Sequence, residues 1–428
     1  MGGVDRRFRA LVCAYAVSGY GNYLNLIALS LFSYRVTGTA FGVGVVMALR
    51  LSSGFVAALT AAALSARTTR LRTMVLADVA QGLAMTALAL CAARTPMWLL
   101  CGAVVVMGAG NTYFTVALRS AIPAMVGQES RTRANGLLVT ARSVATVLGF
   151  ASAAPVIAFG GYASAFAVNA ASFAVSAGAL LALRPRTDGA EEPVREESGR
   201  GKDANAPRRP RPWHGVAGLP GLLLGMIMLR GVDALASSSH NVALPVVAHA
   251  AAPADPALFM TRFWVAWAVG TIAAHLVLKR AQWGSAWPER AFAIGTLTMS
   301  GSFVAAFTGL PAAGLMVAAA CAGFADGWTE IVYTSRLQAS PDRQRSRLFG
   351  MSATAETAGF ALGTVLAAAA LEALPALSVV GMFHGAAVCG ALLLLLFATA
   401  GARSLSSTSG EEGDTHGTRT GTGTLPGA

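Results

Sequence analysis

Lysine is nearly missing from this chain: Lys202 and Lys279 are the only two, and arginine supplies the rest of the positive charge. Charge as a whole is scarce, with 12% of 428 residues charged where a soluble domain carries about 25%. Cysteine is scarce too. Cys13, Cys91, Cys101, Cys321 and Cys389 each lie in an apolar run, and their spacing fits neither a disulfide framework nor a metal site. His240, His249, His275 and His384 are scattered without ligand spacing, so no metal and no cofactor is expected. No G-x-x-x-x-G-K-[ST] run occurs, which argues against nucleotide hydrolysis by this chain. No nucleophile–base or metal constellation is visible, and an enzyme is not expected.

Apolar residues are what the sequence has in excess. They make up 55% of the chain, with a mean hydropathy of +0.58. Surface-to-volume scaling leaves a water-soluble fold of this size too little interior for such a surplus, so it must face lipid. The formal charge of +12 would suit nucleic acid if the arginines shared one face. They sit instead in short clusters between apolar segments, and no nucleic-acid partner is expected.

A bilayer-spanning helix needs about 20 largely apolar residues. Segments of that kind run over residues 9–32, 40–64, 73–93, 97–118, 135–159 and 162–183, then over 218–247, 257–278, 290–308, 312–335, 348–371 and 377–400. The first is too long for a signal peptide and lacks an A-x-A-type cleavage site, so it reads as a retained helix. Residues 184–217 are rich in Pro, Arg, Glu and Asp, and 402–428 in Gly, Thr and Ser. Neither stretch can bury enough apolar surface to order itself. The expected organisation is a six-helix bundle over 1–183, a disordered cytoplasmic linker over 184–217, a second bundle over 218–401 and a disordered cytoplasmic tail over 402–428. The fold class is therefore an all-α membrane protein of twelve transmembrane helices.

Orientation follows from the loop charges. With the N-terminus inside, 26 arginines and lysines fall on the cytoplasmic side and only Arg35 and Arg94 outside. Arg50, Arg142, Arg230 and Arg262 fall within helices. Both termini are thus expected in the cytoplasm of a cell whose inner membrane holds the chain. The two halves are also alike. Gly136–Gly149 and Gly350–Gly363 align without a gap, with Gly136/Gly350, Thr140/Thr354, Ala141/Ala355, Leu148/Leu362 and Gly149/Gly363 identical. Each block opens the fifth span of its half, as parallel repeats require.

The run Arg119-Ser120-Ala121-Ile122-Pro123-Ala124-Met125-Val126, followed by Arg133-Ala134-Asn135-Gly136-Leu137-Leu138, resembles the loop between helices 4 and 5 in the bacterial drug and siderophore exporter-like branch of the major facilitator superfamily. Leu337-Gln338 and Arg347-Leu348-Phe349-Gly350 resemble the matching loop of the second half. The resemblance implies two pseudo-symmetric six-helix bundles around a central cavity, rocking between inward- and outward-open states, with helices 3, 6, 9 and 12 outermost. The family's acidic residue in the loop between helices 2 and 3 is replaced by Ala66, although Arg67 and Arg70 remain, and the usual proline of helix 5 is absent from 149–154. Arg67, Arg70, Asp78, Arg119 and Arg133 are the gating-loop candidates, with Asp78 expected to pair with Arg70 or Arg72.

An ionisable group at the bilayer centre costs at least about 2.5 kcal/mol on insertion scales, so such groups point to function unless they pair locally. Asp233, Asp326, Glu330 and Glu356 are the proton-coupling candidates. Asn22, Asn25, Arg50, Asn111, Tyr113, Arg142, Arg230, His240 and Asn241 are the cavity candidates. Arg230 and Asp233 are three apart and can neutralise each other, whereas Asp326 and Glu330 form a like-charge pair four apart. Arg50 lies about 15 Å into its span and Glu356 about 12 Å from the opposite face, at similar depth; they are expected to pair across the two halves. The function expected is proton-coupled export of a small amphipathic organic molecule by a monomer in the bilayer. Solute uptake by the same fold and a non-transporting sensor are the alternatives.

Overall fold

The computed structural model describes residues 6–65, 67–126, 131–185, 187, 221–281, 288–340 and 342–411. Twelve helices account for almost all of them: α1 (Arg6–Thr37), α2 (Ala40–Ser65), α3 (Arg70–Leu90), α4 (Met97–Val126), α5 (131–159), α6 (162–183), α7 (Gly221–Ala251), α8 (Pro256–Ala281), α9 (Pro288–Ala306), α10 (Ala312–Gln338), α11 (Asp342–Ala370) and α12 (Ala376–Glu411). The turn between α5 and α6 is tight enough to leave only Gly160 and Gly161 non-helical. Gly161 sits at φ 69° with ψ −164°, a region open to glycine and closed to side chains with a Cβ. That one residue lets the chain reverse without a loop.

Among the described residues, nine helical stretches are long and apolar enough to cross a bilayer, and Gly136–Leu183 contains both α5 and α6. At most half of each stretch is buried against protein, so the remaining apolar surface faces lipid; Leu83 and Phe397 are 66% and 67% exposed. Two expected spans, α1 and α9, fall outside this group. Their polarity is inward: α1 carries the buried Ser18, Asn25, Ser30 and Ser33, and α9 the buried Thr296 and Ser300.

Helices also run further than hydropathy predicts. The stretch Arg119–Val126, expected as loop, is the last part of α4, and α10 carries Leu337 and Gln338. The basic ends of these helices project beyond the apolar span, where water satisfies both charge and backbone. The α12 backbone is helical into residues 402–411. The linker expected over 184–217 lies outside the described residues except for 184, 185 and 187.

Packing repeats between the halves. Helix α1 packs on α5 and α6, α2 on α4, and α3 on α4 and α6; correspondingly α7 packs on α11 and α12, α8 on α10, and α9 on α10 and α12. The internal repeat read from sequence has a packing cause. Gly149 abuts the α1 backbone at Tyr20 and Leu24, and Gly363 abuts the α7 backbone at Leu235. A side chain at either would push the fifth helix of its half off the first.

Among the described residues the halves meet at one end. At the end holding the turns after α1, α5, α7 and α11, the Phe41 N–H donates to Glu372 Oε1 at 2.7 Å. There, too, the Ala154 N–H donates to Thr261 Oγ1 at 3.1 Å. Phe150 stacks on Trp264 with centroids 5.5 Å apart, and Tyr34 packs against His249 at 4.7 Å. One apolar core runs through both halves here, joining Leu24, Phe32 and Phe150 to Leu244, Met260 and Phe263. Towards the opposite, arginine-rich end the core divides. Leu11, Met74 and Leu118 form a cluster within the first half, and Met226, Phe292 and Tyr333 one within the second. The chain is closed at one end and parted at the basic end.

Candidate functional site

Among the described residues, three cavities in the parted region bear on function. The first, about 280 Å³, lies within the first half and is polar; Asn22, Arg50, Asp78, Gln81, Asn111, Arg119 and Arg142 line it with Tyr15, Tyr23 and Phe173. The second, about 500 Å³, lies between the halves under the closed end. Its walls are mostly apolar (Met47, Phe55, Met260, Trp264, Phe360), with Arg50, Asn111, Thr112, Asn241 and Thr357 among them. The third, about 340 Å³, is acidic, lined by Arg230, Asp233, Asp326 and Glu356 with Ser237 and Thr357.

Three of the four proton-coupling candidates, Asp233, Asp326 and Glu356, line the acidic cavity, and Glu330 joins them through Arg230. Arg230 on α7 is the hub: Nη1 lies 3.6 Å from Asp233 Oδ2, Nε 3.4 Å from Glu356 Oε1 on α11, and Nη2 is hydrogen-bonded to Glu330 Oε2 on α10. Asp326 lines the same cavity one turn from Glu330. The Arg230 guanidinium lies 5.8 Å from the centroid of the Tyr333 ring. The Tyr333 hydroxyl donates to Ser352 Oγ at 2.7 Å, and Ser352 Oγ donates to Glu356 Oε1 at 2.8 Å. Three carboxylates thus share one guanidinium, with three helices contributing, and Asp326 stands as a fourth in the same cavity. Asp233 Oδ1 is buried without a hydrogen-bond partner. With every group ionised the set would carry −3.

The expected pair of Arg50 with Glu356 does not form. Glu356 is engaged by Arg230, and Arg50 lines the first two cavities with no ion pair among the described residues. Equal depth placed the two at one height; the azimuth of each helix turned them to different walls. The expectation that Arg230 and Asp233 neutralise each other holds in part, since Arg230 is also shared with two glutamates.

Other candidates divide. Arg142 lines the polar cavity and donates from Nε to the Tyr23 hydroxyl at 2.8 Å. Asn241 lines the central cavity while donating to Ser237 O at 2.8 Å. Asn22 faces the polar cavity with Oδ1 unpaired. Asn25 is instead fully buried in packing, its amide unpaired at both Nδ2 and Oδ1. Tyr113 is held by Thr60, hydroxyl to hydroxyl at 2.7 Å, so it joins α4 to α2. His240, 3% exposed, is a core residue: its Nδ1 lies 3.2 Å from His384 Nε2 and its ring stacks on Phe303 at 3.7 Å. His384 Nδ1 in turn lies 3.2 Å from Ser300 Oγ.

Among the gating-loop candidates, Arg119 faces the polar cavity and Arg67 is exposed at the basic end. Arg70 reaches Thr187 O at 2.9 Å. Asp78, expected beside Arg70 or Arg72, is 1% exposed, with Oδ2 left unpaired. Burial on the α6 side of α3 turns it away from the loop. The backbone of Arg133 belongs to the first turn of α5; its side chain lies outside the described residues. Sequence reading passed over Gln81, Ser352 and Tyr333. Gln81 had a signal, since it follows Asp78 by three on the same face of α3.

Solved structures share this architecture. A POT family transporter in complex with a thioalcohol-conjugated peptide superposes with a TM-score of 0.69 at 10% identity, over 92% of this chain and 96% of that one. The nucleoside transporter NupG, as a point variant, gives 0.66 at 13% identity over 91% and 99%. A bacterial homologue of the human lysosomal transporter Spinster, in an inward-facing and occupied conformation, gives 0.63 at 14% over 92% and 94%. At such identities the likeness establishes the fold alone. No curated protein matches the chain. A sequence model of the Major Facilitator Superfamily, however, matches residues 11–283. With that match over well more than half its length, and the twelve-helix, two-bundle fold beneath it, the chain belongs to the Major Facilitator Superfamily and is a membrane transporter rather than an enzyme.

Proposed function

We propose that this protein is a proton-coupled secondary transporter that exports a small amphipathic organic molecule by alternating access. The observation that carries the coupling is the set Asp233, Asp326, Glu330 and Glu356 around the single Arg230. Protonating one carboxylate releases part of the hold on Arg230. Because the cluster opens on the space between the halves, that release changes which bundle arrangement is favoured, as a coupled transporter requires. Arg142 of the first half lies within Coulombic reach of Glu330, and His275 of α8 within reach of Asp326, so charge on the cluster is felt on both sides of the cleft.

The basic end is assigned to the cytoplasm of a bacterial inner membrane on the distribution of loop arginines, with both termini and residues 184–217 there. This makes the described conformation inward-open. Export rather than uptake is supported by the resemblance of Arg119–Val126 and Arg133–Leu138 to the exporter-like branch. The mixed central cavity, apolar with a few polar groups, suits an amphipathic organic molecule. The chain is taken to work as a monomer.

The test is flux in proteoliposomes under an imposed pH gradient, with a metabolite panel chosen by comparing cells with and without the gene. Asp326→Asn combined with Glu330→Gln should abolish gradient-driven accumulation while exchange at equal pH persists. Full gradient dependence in that double variant would remove the cluster from the mechanism.

A further inference from the structure

Resting on the transport reading above, we infer that the substrate is an amphipathic organic anion whose carboxylate, or a like planar anion, is held by Arg50. Arg50 lies on the boundary of two cavities, the polar one within the first half and the apolar one between the halves. Among the described residues its guanidinium has neither a carboxylate within ion-pair distance nor a side-chain hydrogen bond. Two other arginines that line these cavities have partners: Arg230 has its carboxylates and Arg142 has the Tyr23 hydroxyl, while Arg119 lies near the basic end of α4. An unpartnered guanidinium at mid-membrane depth is a poor structural element and a ready anion site, because its planar fork matches a carboxylate with two parallel hydrogen bonds.

The surroundings set the rest of the ligand. Asn111 lines both cavities beside Arg50, and its amide supplies a neutral donor or acceptor at the same headgroup. Met47, Phe55, Met260, Trp264 and Phe360 wall the larger cavity, which takes an apolar or aromatic body. Charge on the first half's wall is positive on balance: Arg50, Arg119 and Arg142 face the polar cavity against Asp78. The headgroup is therefore attracted to this wall, and the acidic cluster across the cleft is left free to exchange protons. The anion and the proton have separate places.

The experiment titrates the purified full chain in detergent by calorimetry with three probes that share one body: phenylbutyrate, phenylbutanamide and phenylbutylamine. Phenylbutyrate should bind at least about tenfold more tightly than the amide or the amine. Arg50→Gln should weaken phenylbutyrate about tenfold or more and leave the amide unchanged, with Arg50→Lys recovering part of the loss. Asn111→Asp gives a second route should Arg50→Gln fail to fold: it sets a carboxylate against Arg50 and should block phenylbutyrate while stabilising the fold. Equal binding of amine and carboxylate, retained phenylbutyrate affinity in Arg50→Gln or Asn111→Asp, or no phenylbutyrate binding to the parent chain each overturns the inference. Binding in detergent needs no gradient, so loss of coupled flux with this affinity intact would count against the coupling alone.

Discussion

Arg230 Nε on α7 stands 3.4 Å from Glu356 Oε1 on α11, which ties together two helices of the same half. This contact decides how the cleft is charged. It takes Glu356 out of reach of any partner across the halves and leaves Arg50 alone on the opposite wall. One wall thus has an excess of carboxylates and the other an unclaimed guanidinium.

Arg230 is expected to be the residue the acidic cavity tolerates losing least. Arg230→Gln leaves Asp233, at 6% side-chain exposure, as a buried charge without a counter-ion. Removing one partner of a buried pair costs about 3 kcal/mol or more, and thermal unfolding in detergent should show a lowered transition. Adding Glu356→Gln and Asp233→Asn to that variant should recover part of the loss. No recovery would mean that Arg230 acts through its packing on Tyr333 rather than as counter-ion.

The closed end depends on Gly44, where an added Cβ would overlap the Cβ of Ala368 on α11. Gly44→Ala should weaken this conformation by about 1–3 kcal/mol, the range for overpacking. Combining it with Ala368→Gly should restore closure, because the methyl has only changed sides. Protection of the buried Ala154 and Thr261 positions from a membrane-impermeant maleimide applied at the closed face, after substitution by cysteine, reads the outcome. Equal labelling in the parent, single and double variants would show that α2 and α11 do not seal this end.

His240 and His384 are expected to hold the second half together without a part in coupling. His384→Ala opens a cavity and leaves His240 Nδ1 without a partner, at about 3 kcal/mol of stability. The double variant His240→Phe with His384→Leu should lose less than the two single changes added together. Neither should alter the pH dependence of transport. A shifted pH profile in the double variant would move this pair from packing into the mechanism.

Hydropathy located the helices because lipid exposure leaves a long, one-dimensional trace in the chain. The trace is fainter in α1 and α9, whose buried serines, threonines and asparagine dilute it, yet both spans were still legible at 9–32 and 290–308. The reach of α4 and α10 beyond the bilayer was hidden, since a helix in water needs no apolar run. Residues of the acidic cavity were legible one at a time, because each ionisable group in a span stands out. Their grouping was not, since Arg230 and Glu356 are far apart in sequence and depth fixes only height. Rotation of a helix about its axis decides which wall a side chain joins. In Arg50, that rotation turned an expected ion-pair partner into an unpaired cation.

The most direct measurement of the account is a pair of spin-label distances in a cysteine-free background. One pair, Ser120→Cys with Ala339→Cys, spans the basic end; the other, Arg94→Cys with Leu310→Cys, spans the closed end. Acidification, or Glu330→Gln with Glu356→Gln, should move the two distance distributions in opposite senses, one end narrowing as the other widens. Distances that stay fixed at both ends, or change together, would contradict alternation between the halves driven by the carboxylates around Arg230.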